Sequence, residues 1–401
     1  MIKNKTLGSM LIVAGTTIGA GMLALPIASA GIGFSASLIL ILLTWLLMTY
    51  TALLMLELHQ YAHSDATLNT LAKTLLGKRG QYIANFAMVF LFYALCAAYI
   101  AGGGAQLQAK INAALDVNVA PQVGSILVAV LVATIVTMGT STVDKLNRLL
   151  FTIKVLVLGS LFFVLTHYVQ GQHLLEMPLE QGLLISAIPV IFTSFGFHGS
   201  IPSIVKYIGV DIRSLRKVMI FGASVPLVIY VFWQLISQGM MSQSALLQAQ
   251  GLQGFIGSVS NLVNSSQVST SITIFADLAL ATSFLGVSLG LFDFFADAFK
   301  QGDNKSARLK TALITFLPPL GFALFYPQGF ITALGYAAIA LVVLAIFLPV
   351  AMVWVQRAQQ EDKEGYKVKG GRFGLSLAAC CGVVIIAAQG LQMFGVIPAL
   401  G

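Results

Sequence analysis

Two short stretches decide the fold: residues 16–21 read TTIGAG and residues 193–199 read TSFGFHG. Each places glycines in the middle of a long apolar run, and the first four residues of one stretch align with those of the other. Glycine lowers the cost of leaving helical geometry. In a lipid bilayer, unwound backbone is tolerated only where protein or a cavity supplies hydrogen-bonding partners. The pattern therefore predicts two helices that are broken halfway across a membrane.

The composition supports a membrane setting for these breaks. Of the 401 residues, 58% are hydrophobic and only 9% are charged. Soluble domains contain about 45–50% apolar and about 25% charged residues. A secreted protein, a cytosolic enzyme and a nucleic-acid-binding protein are excluded, and an all-α integral membrane protein is predicted.

Apolar runs long enough to cross a bilayer predict eleven spans. The span at 311–325 is the weakest, because it is short and contains Pro318 and Pro319. Residues 240–270 read as an external loop with a helical turn, and 59–80 as a short amphipathic helix. Continuous runs, rather than alternating ones, disfavour a β-barrel. The predicted spans are 7–30, 34–57, 81–108, 122–139, 149–168, 182–205, 218–239, 271–299, 311–325, 328–354 and 373–397.

The basic residues indicate the orientation of these spans. With a cytoplasmic N-terminus, 20 of the 22 Lys and Arg residues fall in loops on the N-terminal side. Lys110 is the exception in an outer loop, and Lys154 lies within a span. This asymmetry is a positive-inside signal and places the C-terminus outside, in the periplasm. A signal peptide that ends at Ala28-Ser29-Ala30 is the competing interpretation of the N-terminus, which the interrupting glycines disfavour.

The two glycine-rich stretches also predict an inverted repeat. Five spans separate them, so the sixth span crosses in the opposite direction to the first, as in transporters with paired discontinuous helices. The predicted units are 1–168 (first repeat), 182–354 (second repeat) and 373–397 (an additional helix). The alternative is that Gly15, Gly19 and Gly21 only allow close helix packing.

A helix that is broken in mid-membrane presents N–H groups to an anion and carbonyl groups to a cation. A zwitterion such as an amino acid satisfies both. The carboxylate site is predicted over Gly15, Thr16, Thr17, Ile18, Gly19, Ala20 and Gly21. The ammonium site is predicted over Thr193, Ser194, Phe195, Gly196 and Phe197. The competing interpretation for the two threonines is a hydrogen bond back to a carbonyl one turn earlier.

Three long stretches resemble the aromatic amino acid permease family, a branch of the amino acid–polyamine–organocation superfamily. They are NKTLGSMLIVAGTTIGAGMLALP, ISAIPVIFTSFGFHGSIPSIVKY and FADLALATSFLGVSLGLFDFFAD. The resemblance covers essentially the whole chain. It implies a leucine-transporter-like five-plus-five repeat and proton-coupled uptake of tyrosine across the bacterial inner membrane. Tryptophan or general aromatic substrates, and sodium coupling, are the alternatives.

Three ionisable residues are candidates for proton coupling. Ionisable groups inside a membrane are expensive and point to function. Proton-coupled members of the superfamily place a lysine where Lys154 lies, although its long side chain can also snorkel to the interface. His198 can bond the substrate or titrate, or it can merely prop the break open. Asp277 is the secondary candidate.

Flat apolar walls for a substrate ring are predicted at Phe195, Phe197, Tyr99 and Phe284. The other four histidines, which lie in or beside loops, are predicted to be solvated: His59, His63, His167 and His173.

Other functional classes lack their signatures in the sequence. A channel needs a repeated filter or rings of like charge, a pump needs a nucleotide-binding motif, and a membrane enzyme needs clustered ligands. We therefore expect no catalytic residues, no cofactor, no metal site and no nucleic-acid partner. The expected partners are L-tyrosine, protons and the lipid bilayer, and a monomer is expected to be sufficient.

Overall fold

The computed structural model describes residues 5–63, 66–177, 181–249, 251–299, 305–359 and 365–398, and the regular elements within these ranges are helices. In chain order they are α1 (Lys5–Thr17), α2 (Ala20–Ala28), α3 (Phe34–His59), α4 (Leu68–Leu115), α5 (Pro121–Thr137), α6 (Thr140–Leu165), α7 (Gly171–Leu174), α8 (Gln181–Thr193), α9 (Ile201–Ile208), α10 (Ile212–Met240), α11 (Gln243–Gln248), α12 (Gly251–Val263), α13 (Ser266–Ala298), α14 (Lys305–Phe325), α15 (Phe330–Val342), α16 (Leu348–Gln359) and α17 (Gly371–Met393).

The lengths and hydropathy of these helices are those of an integral membrane protein. Across the described ranges, nine helical segments are long and apolar enough to cross a bilayer, and the bent pair α1–α2 makes a tenth. The predicted span at 311–325, the weakest in the sequence, lies in α14, which is long enough to cross a bilayer. The helix that falls short of that length is α5, which has 17 residues. It packs tightly on α4, where a Cβ at Gly104 would lie 2.7 Å from the Ser125 Cα.

The segment at 240–270 is more ordered than the predicted loop with one helical turn. It contains α11 and α12, and α12 buries one apolar face that includes Leu252, Phe255 and Val259. This spacing by three and four residues places the three side chains on one side of a helix. The amphipathic α12 packs on α13 and also contacts α2, so it covers one end of the helix bundle.

Buried amide side chains hold the same end of the bundle closed. Ser29 Oγ accepts hydrogen bonds from Gln234 Nε2 at 2.6 Å and from Gln238 Nε2 at 2.9 Å. Gln243 Oε1 accepts the Gly31 N–H at 2.9 Å. Together these bonds tie the chain that follows α2 to α10 and α11.

The end of α3 is fixed by an ion pair. Arg357 donates to both carboxylate oxygens of Glu57, at 2.7 and 2.8 Å, and the Val368 N–H donates to Glu57 Oε2 at 2.7 Å. The Glu57 side chain is 2% exposed. The pair therefore links α3, α16 and the approach to α17.

The prediction that His59 is solvated is wrong, because its side chain is fully buried. Its Nδ1 lies 2.8 Å from the Met55 carbonyl oxygen, and its Nε2 lies 3.3 Å from that of Ala66. The chain after α3 folds back over the ring and supplies this second partner. His167 is exposed, and His173 pairs with Glu176 at 2.8 Å.

We expect Arg357→Met to lower the free energy of unfolding by about 3 kcal/mol, because it leaves the buried Glu57 carboxylate without its counter-charge. Thermal unfolding of the purified protein in detergent measures this. Arg213→Met, at an exposed position on α10, is the control. Equal melting temperatures for the two variants would show that the Glu57–Arg357 ion pair does not stabilise the fold.

Candidate functional site

The first break separates α1 from α2 at Ile18 and Gly19, with a bend of 50° between the two helices. The Ala20 N–H donates to Ser283 Oγ at 3.2 Å. Among the described residues, the N–H groups of Gly19 and Gly21 have no hydrogen-bonding partner. The positive end of α2 therefore presents two unpaired donors, which is an arrangement that attracts an anion.

The second break follows α8, which ends at Thr193. Residues 194–197 and a single 3₁₀ turn (His198–Ser200) separate it from α9. The carbonyl oxygens of Phe195 and Gly196 accept no hydrogen bond within the part of the chain that the structure describes. Phe195 is fully buried, whereas Gly196 lines the cavity described below, so the Gly196 oxygen is the one that can meet a cation.

The two breaks touch each other. A Cβ at Gly21 would lie 2.9 Å from the Ser194 Cα, so only glycine allows this approach. The hydroxyl of Tyr230 on α10 lies 2.7 Å from the Thr17 carbonyl oxygen and 2.8 Å from that of Ser194. Tyr230 is fully buried and serves as a donor shared by both breaks.

Lys154 is buried between three helices rather than snorkelling. Its side chain is 2% exposed, and Nζ donates to the Ile18 carbonyl oxygen at 2.9 Å and to Thr282 Oγ1 at 3.0 Å. The helix α6 begins at Thr140, earlier than the predicted 149, and Lys154 lies about 21 Å along the helix from that start. The lysine therefore joins the first break to α13.

His198 lies at the start of the 3₁₀ turn and is 6% exposed. Its Nε2 lies 2.9 Å from Thr51 Oγ1 on α3. Its Nδ1 is buried and has no partner in the described residues. The ring is therefore held from one side and keeps an unused polar atom on the other.

A cavity of about 570 Å³ connects these elements, within the range typical of small-molecule sites. Most of the residues predicted for the site line it. Phe92, Phe151 and Ser283 line it as well and were missed, because nothing in the sequence sets them apart from ordinary residues of a membrane helix. The predicted residues on its wall are Gly15, Thr16, Thr17, Gly19, Ala20, Gly21, Tyr99, Lys154, Thr193, Ser194, Gly196 and His198.

The predicted phenylalanine walls lie behind the cavity. Phe195 packs edge-on against Tyr230, with ring centroids 5.1 Å apart, and Phe284 lies 6.3 Å from the Tyr99 ring. Phe197 is fully buried beside His198. These rings support the site, whereas Tyr99 faces the cavity itself.

The remaining predicted groups are occupied by other contacts. Thr16 and Thr17 donate to the carbonyl oxygens of Ile12 and Val13, at 2.7 and 2.8 Å. Both threonines therefore make the hydrogen bond to a carbonyl one turn earlier, which was the competing interpretation for them. Asp277 is paired with Lys110, away from the cavity wall. Asp277 therefore already has a counter-ion.

The cavity is accessible from the end of the bundle at which α1 and α6 begin. Ile12, Thr16 and Arg148 all line it and are all exposed. The opposite end is closed by the amide network around Ser29 and Gln243 described above. The site therefore has one open end and one closed end.

The chain is similar to known proteins along nearly its whole length. Residues 2–389 match the tryptophan/tyrosine permease family. The chain is 42% identical to tyrosine-specific transport system 1 of Haemophilus influenzae, over 95% of this chain and 96% of that protein. It is 39% identical to tyrosine-specific transport system 2 of the same organism, over 99% of each chain. It is 35% identical to a tryptophan-specific transport protein from that organism, over 97% of each chain.

We expect Tyr230→Phe to loosen both breaks, because two buried carbonyls lose their shared donor. The free energy of unfolding should fall by about 1–3 kcal/mol, and amide hydrogen exchange should accelerate around Gly19 and Gly196. Tyr93→Phe, which removes a hydroxyl bonded to the Ile314 carbonyl oxygen, is the matched control. Unchanged exchange at both breaks in Tyr230→Phe would show that the hydroxyl does not hold them.

Proposed function

The chain belongs to the tryptophan/tyrosine permease family, and from this we propose that it is a proton-coupled symporter that imports tyrosine across the bacterial inner membrane by alternating access. The similar proteins are bacterial and are named transport systems or permeases, not enzymes. The observation that carries the proposal is that both breaks line one cavity with backbone groups that have no partner among the described residues: the N–H groups of Gly19 and Gly21 from the first break and the carbonyl oxygen of Gly196 from the second.

The substrate's zwitterionic end is assigned to the backbone. The N–H groups of Gly19 and Gly21 would bind the carboxylate, and the carbonyl of Gly196 would bind the ammonium group. Each of these backbone groups lacks a partner in the described residues. Since both charged ends of an amino acid are matched within one site, the substrate itself would complete the hydrogen bonding of the two breaks.

Lys154 is the proposed coupling residue. Its ammonium holds the first break to α13 through two charge-assisted hydrogen bonds, which are stronger than neutral ones. Loss of its proton would weaken this link and free α1 and α2 to move relative to α6 and α13. His198 and Asp277 are the other candidates, and the ion pair of Asp277 with Lys110 makes it the weaker of these two.

The membrane arrangement belongs to the same proposal. Eleven spans would form with α5 as the fourth, with 1–168 and 182–354 as inverted repeats and α17 as the additional helix. The contact between the two breaks supports this pairing. A cytoplasmic N-terminus would make the open end of the cavity cytoplasmic. Some of the residues behind this arrangement lie outside the described residues. They are Lys3, Lys300 and Lys363, which enter the charge count, and residues 1–4 of the first repeat.

Tryptophan, alone or with other aromatic amino acids, is the second candidate substrate. The 35% identity to a tryptophan-specific transport protein favours it, and a cavity of about 570 Å³ is large enough for an indole ring.

Reconstitution into proteoliposomes tests the proposal. We expect labelled tyrosine to accumulate when an inward proton gradient is imposed, and not with a sodium gradient alone. Competition by tryptophan and phenylalanine in the same assay ranks the substrates. Uptake that follows sodium alone would contradict proton coupling, and the absence of any aromatic amino acid uptake would contradict the proposed function.

We expect Lys154→Met to abolish gradient-driven accumulation while tyrosine exchange between the two sides of the membrane continues. Removing the ammonium deletes the proposed proton carrier but leaves the backbone groups of the two breaks in place. Counterflow and gradient-driven uptake, measured on the same vesicles, separate the two activities. Lys217→Met, at an exposed position on α10, is the control. Full accumulation by Lys154→Met would rule out the coupling role.

A further inference from the structure

The ammonium group of Lys154 has a third contact besides its two hydrogen bonds. Its Nζ lies 4.9 Å from the centre of the Phe151 ring, and a cation is attracted to the face of an aromatic ring within about 6 Å. An ammonium carries three N–H donors, and Ile18 and Thr282 accept two of them. Within the described residues no third oxygen accepts from Nζ, so the ring is the remaining partner of the charge.

The Phe151 ring lies on the side of Lys154 that is nearer the open end of the cavity. Phe151 precedes Lys154 by one turn of α6, towards the exposed Arg148, and both Phe151 and Lys154 line the cavity. A Cβ at Gly15 would lie 3.3 Å from Phe151 Cε2, so the ring packs against the backbone of α1. The ring therefore covers the buried ammonium on the side from which the cavity is accessible.

Within the part of the chain that the structure describes, no carboxylate pairs with Lys154. Asp144 on the same helix pairs with Arg148, and Asp277 on α13 pairs with Lys110. An ammonium without a counter-ion is costly inside a membrane, so its two oxygen acceptors and the Phe151 ring are the groups that favour its charge. The other titratable residues on the cavity wall and on the helices around Lys154 form no hydrogen bond or ion pair with its ammonium: Lys5 on α1, Tyr99 on α4, Lys145 on α6, His198, Tyr230 on α10, and Asp293 and Asp297 on α13.

We propose that Phe151 is a positioning residue for proton coupling, because its ring favours the protonated form of Lys154 and covers that form on the open side of the cavity. The inference rests on the proposed function and deepens it, since it assumes that Lys154 is the coupling residue. The attraction of the ring is for a positive charge and is lost when the amine is neutral. The contact therefore distinguishes the two protonation states of the lysine.

The competing role for Phe151 is a wall for the aromatic ring of the substrate, because Phe151 also lines the cavity. The two roles differ in what they change. A wall alters the tyrosine concentration that gives half-maximal uptake, whereas a partner of the ammonium alters the pH at which uptake is lost.

The first test replaces Phe151 with a series of fluorinated phenylalanines that carry one, two or three ring fluorines. Fluorine withdraws electrons from the ring face and weakens its attraction for a cation, with little change in ring shape. Initial tyrosine uptake into proteoliposomes is measured over a range of external pH, with the internal pH held one unit higher so that the gradient is constant. Uptake should decline at alkaline pH as Lys154 loses its proton. The midpoint of this decline should move to lower pH with each fluorine, by roughly 0.5–1 pH unit over the series.

An identical midpoint for all members of the series would overturn the proposal. These variants differ from the unmodified protein by a few ring atoms, so they keep the test decisive if a larger change at Phe151 prevents folding.

The second test uses ordinary substitutions. Phe151→Leu should lower the midpoint by a similar amount, and Phe151→Tyr, which keeps a ring, should retain the unmodified value. Phe163→Leu, on the same helix with its ring 74% exposed, is the control and should change neither the midpoint nor the rate. An unchanged midpoint in Phe151→Leu, with a higher tyrosine concentration for half-maximal uptake, would show that Phe151 is a substrate wall instead.

Failure of this inference is distinguishable from failure of the proposed function. If Lys154→Met loses accumulation while the fluorine series has no effect, only the role of Phe151 is wrong. A reconstituted protein that takes up no aromatic amino acid, or that follows sodium alone, would show that the proposed function itself is wrong.

Discussion

Backbone hydrogen bonding in an apolar medium is the constraint on which this structure depends. Each helix break releases N–H and carbonyl groups that lipid cannot satisfy. Side chains from other helices take up part of this demand, through the Tyr230 hydroxyl, the Lys154 ammonium and the Ser283 hydroxyl. At the cavity wall, the N–H groups of Gly19 and Gly21 and the carbonyl oxygen of Gly196 have no partner among the described residues, and these are the groups that we propose the substrate satisfies.

The two ends of the cavity differ in their chemistry. The closed end is held largely by neutral amide and hydroxyl bonds around Ser29, and such bonds contribute only about 1 kcal/mol each. The Gln243 N–H bonds Glu176 just outside the bundle, and this hydrogen bond lowers the pKa of that carboxyl. The neutral bonds around Ser29 are individually easier to break than the buried Glu57–Arg357 ion pair.

The sequence alone predicted the helical membrane class from its composition, the family from the resemblance of three long stretches, and both breaks from the matching glycine-rich interruptions of two apolar runs. It placed Lys154 on the correct helix but began that helix at 149 rather than at Thr140, because Asp144 and Arg148, which pair with each other near the start of α6, hide that start from a search for apolar runs. Tyr230 could not be identified, since its role depends on two carbonyls far away in the chain. Phe195 and Phe197 adjoin the second break, yet their side chains pack behind it, because an unwound segment loses the helical period that predicts side-chain directions.

The most direct measurement is an experimental structure of the reconstituted protein with tyrosine bound. We expect the carboxylate within hydrogen-bonding distance of the Gly19 and Gly21 N–H groups, and the ammonium group at the Gly196 carbonyl. Tyrosine bound elsewhere, with these three groups paired to other atoms of the protein, would contradict the central claim that the substrate completes the two broken helices.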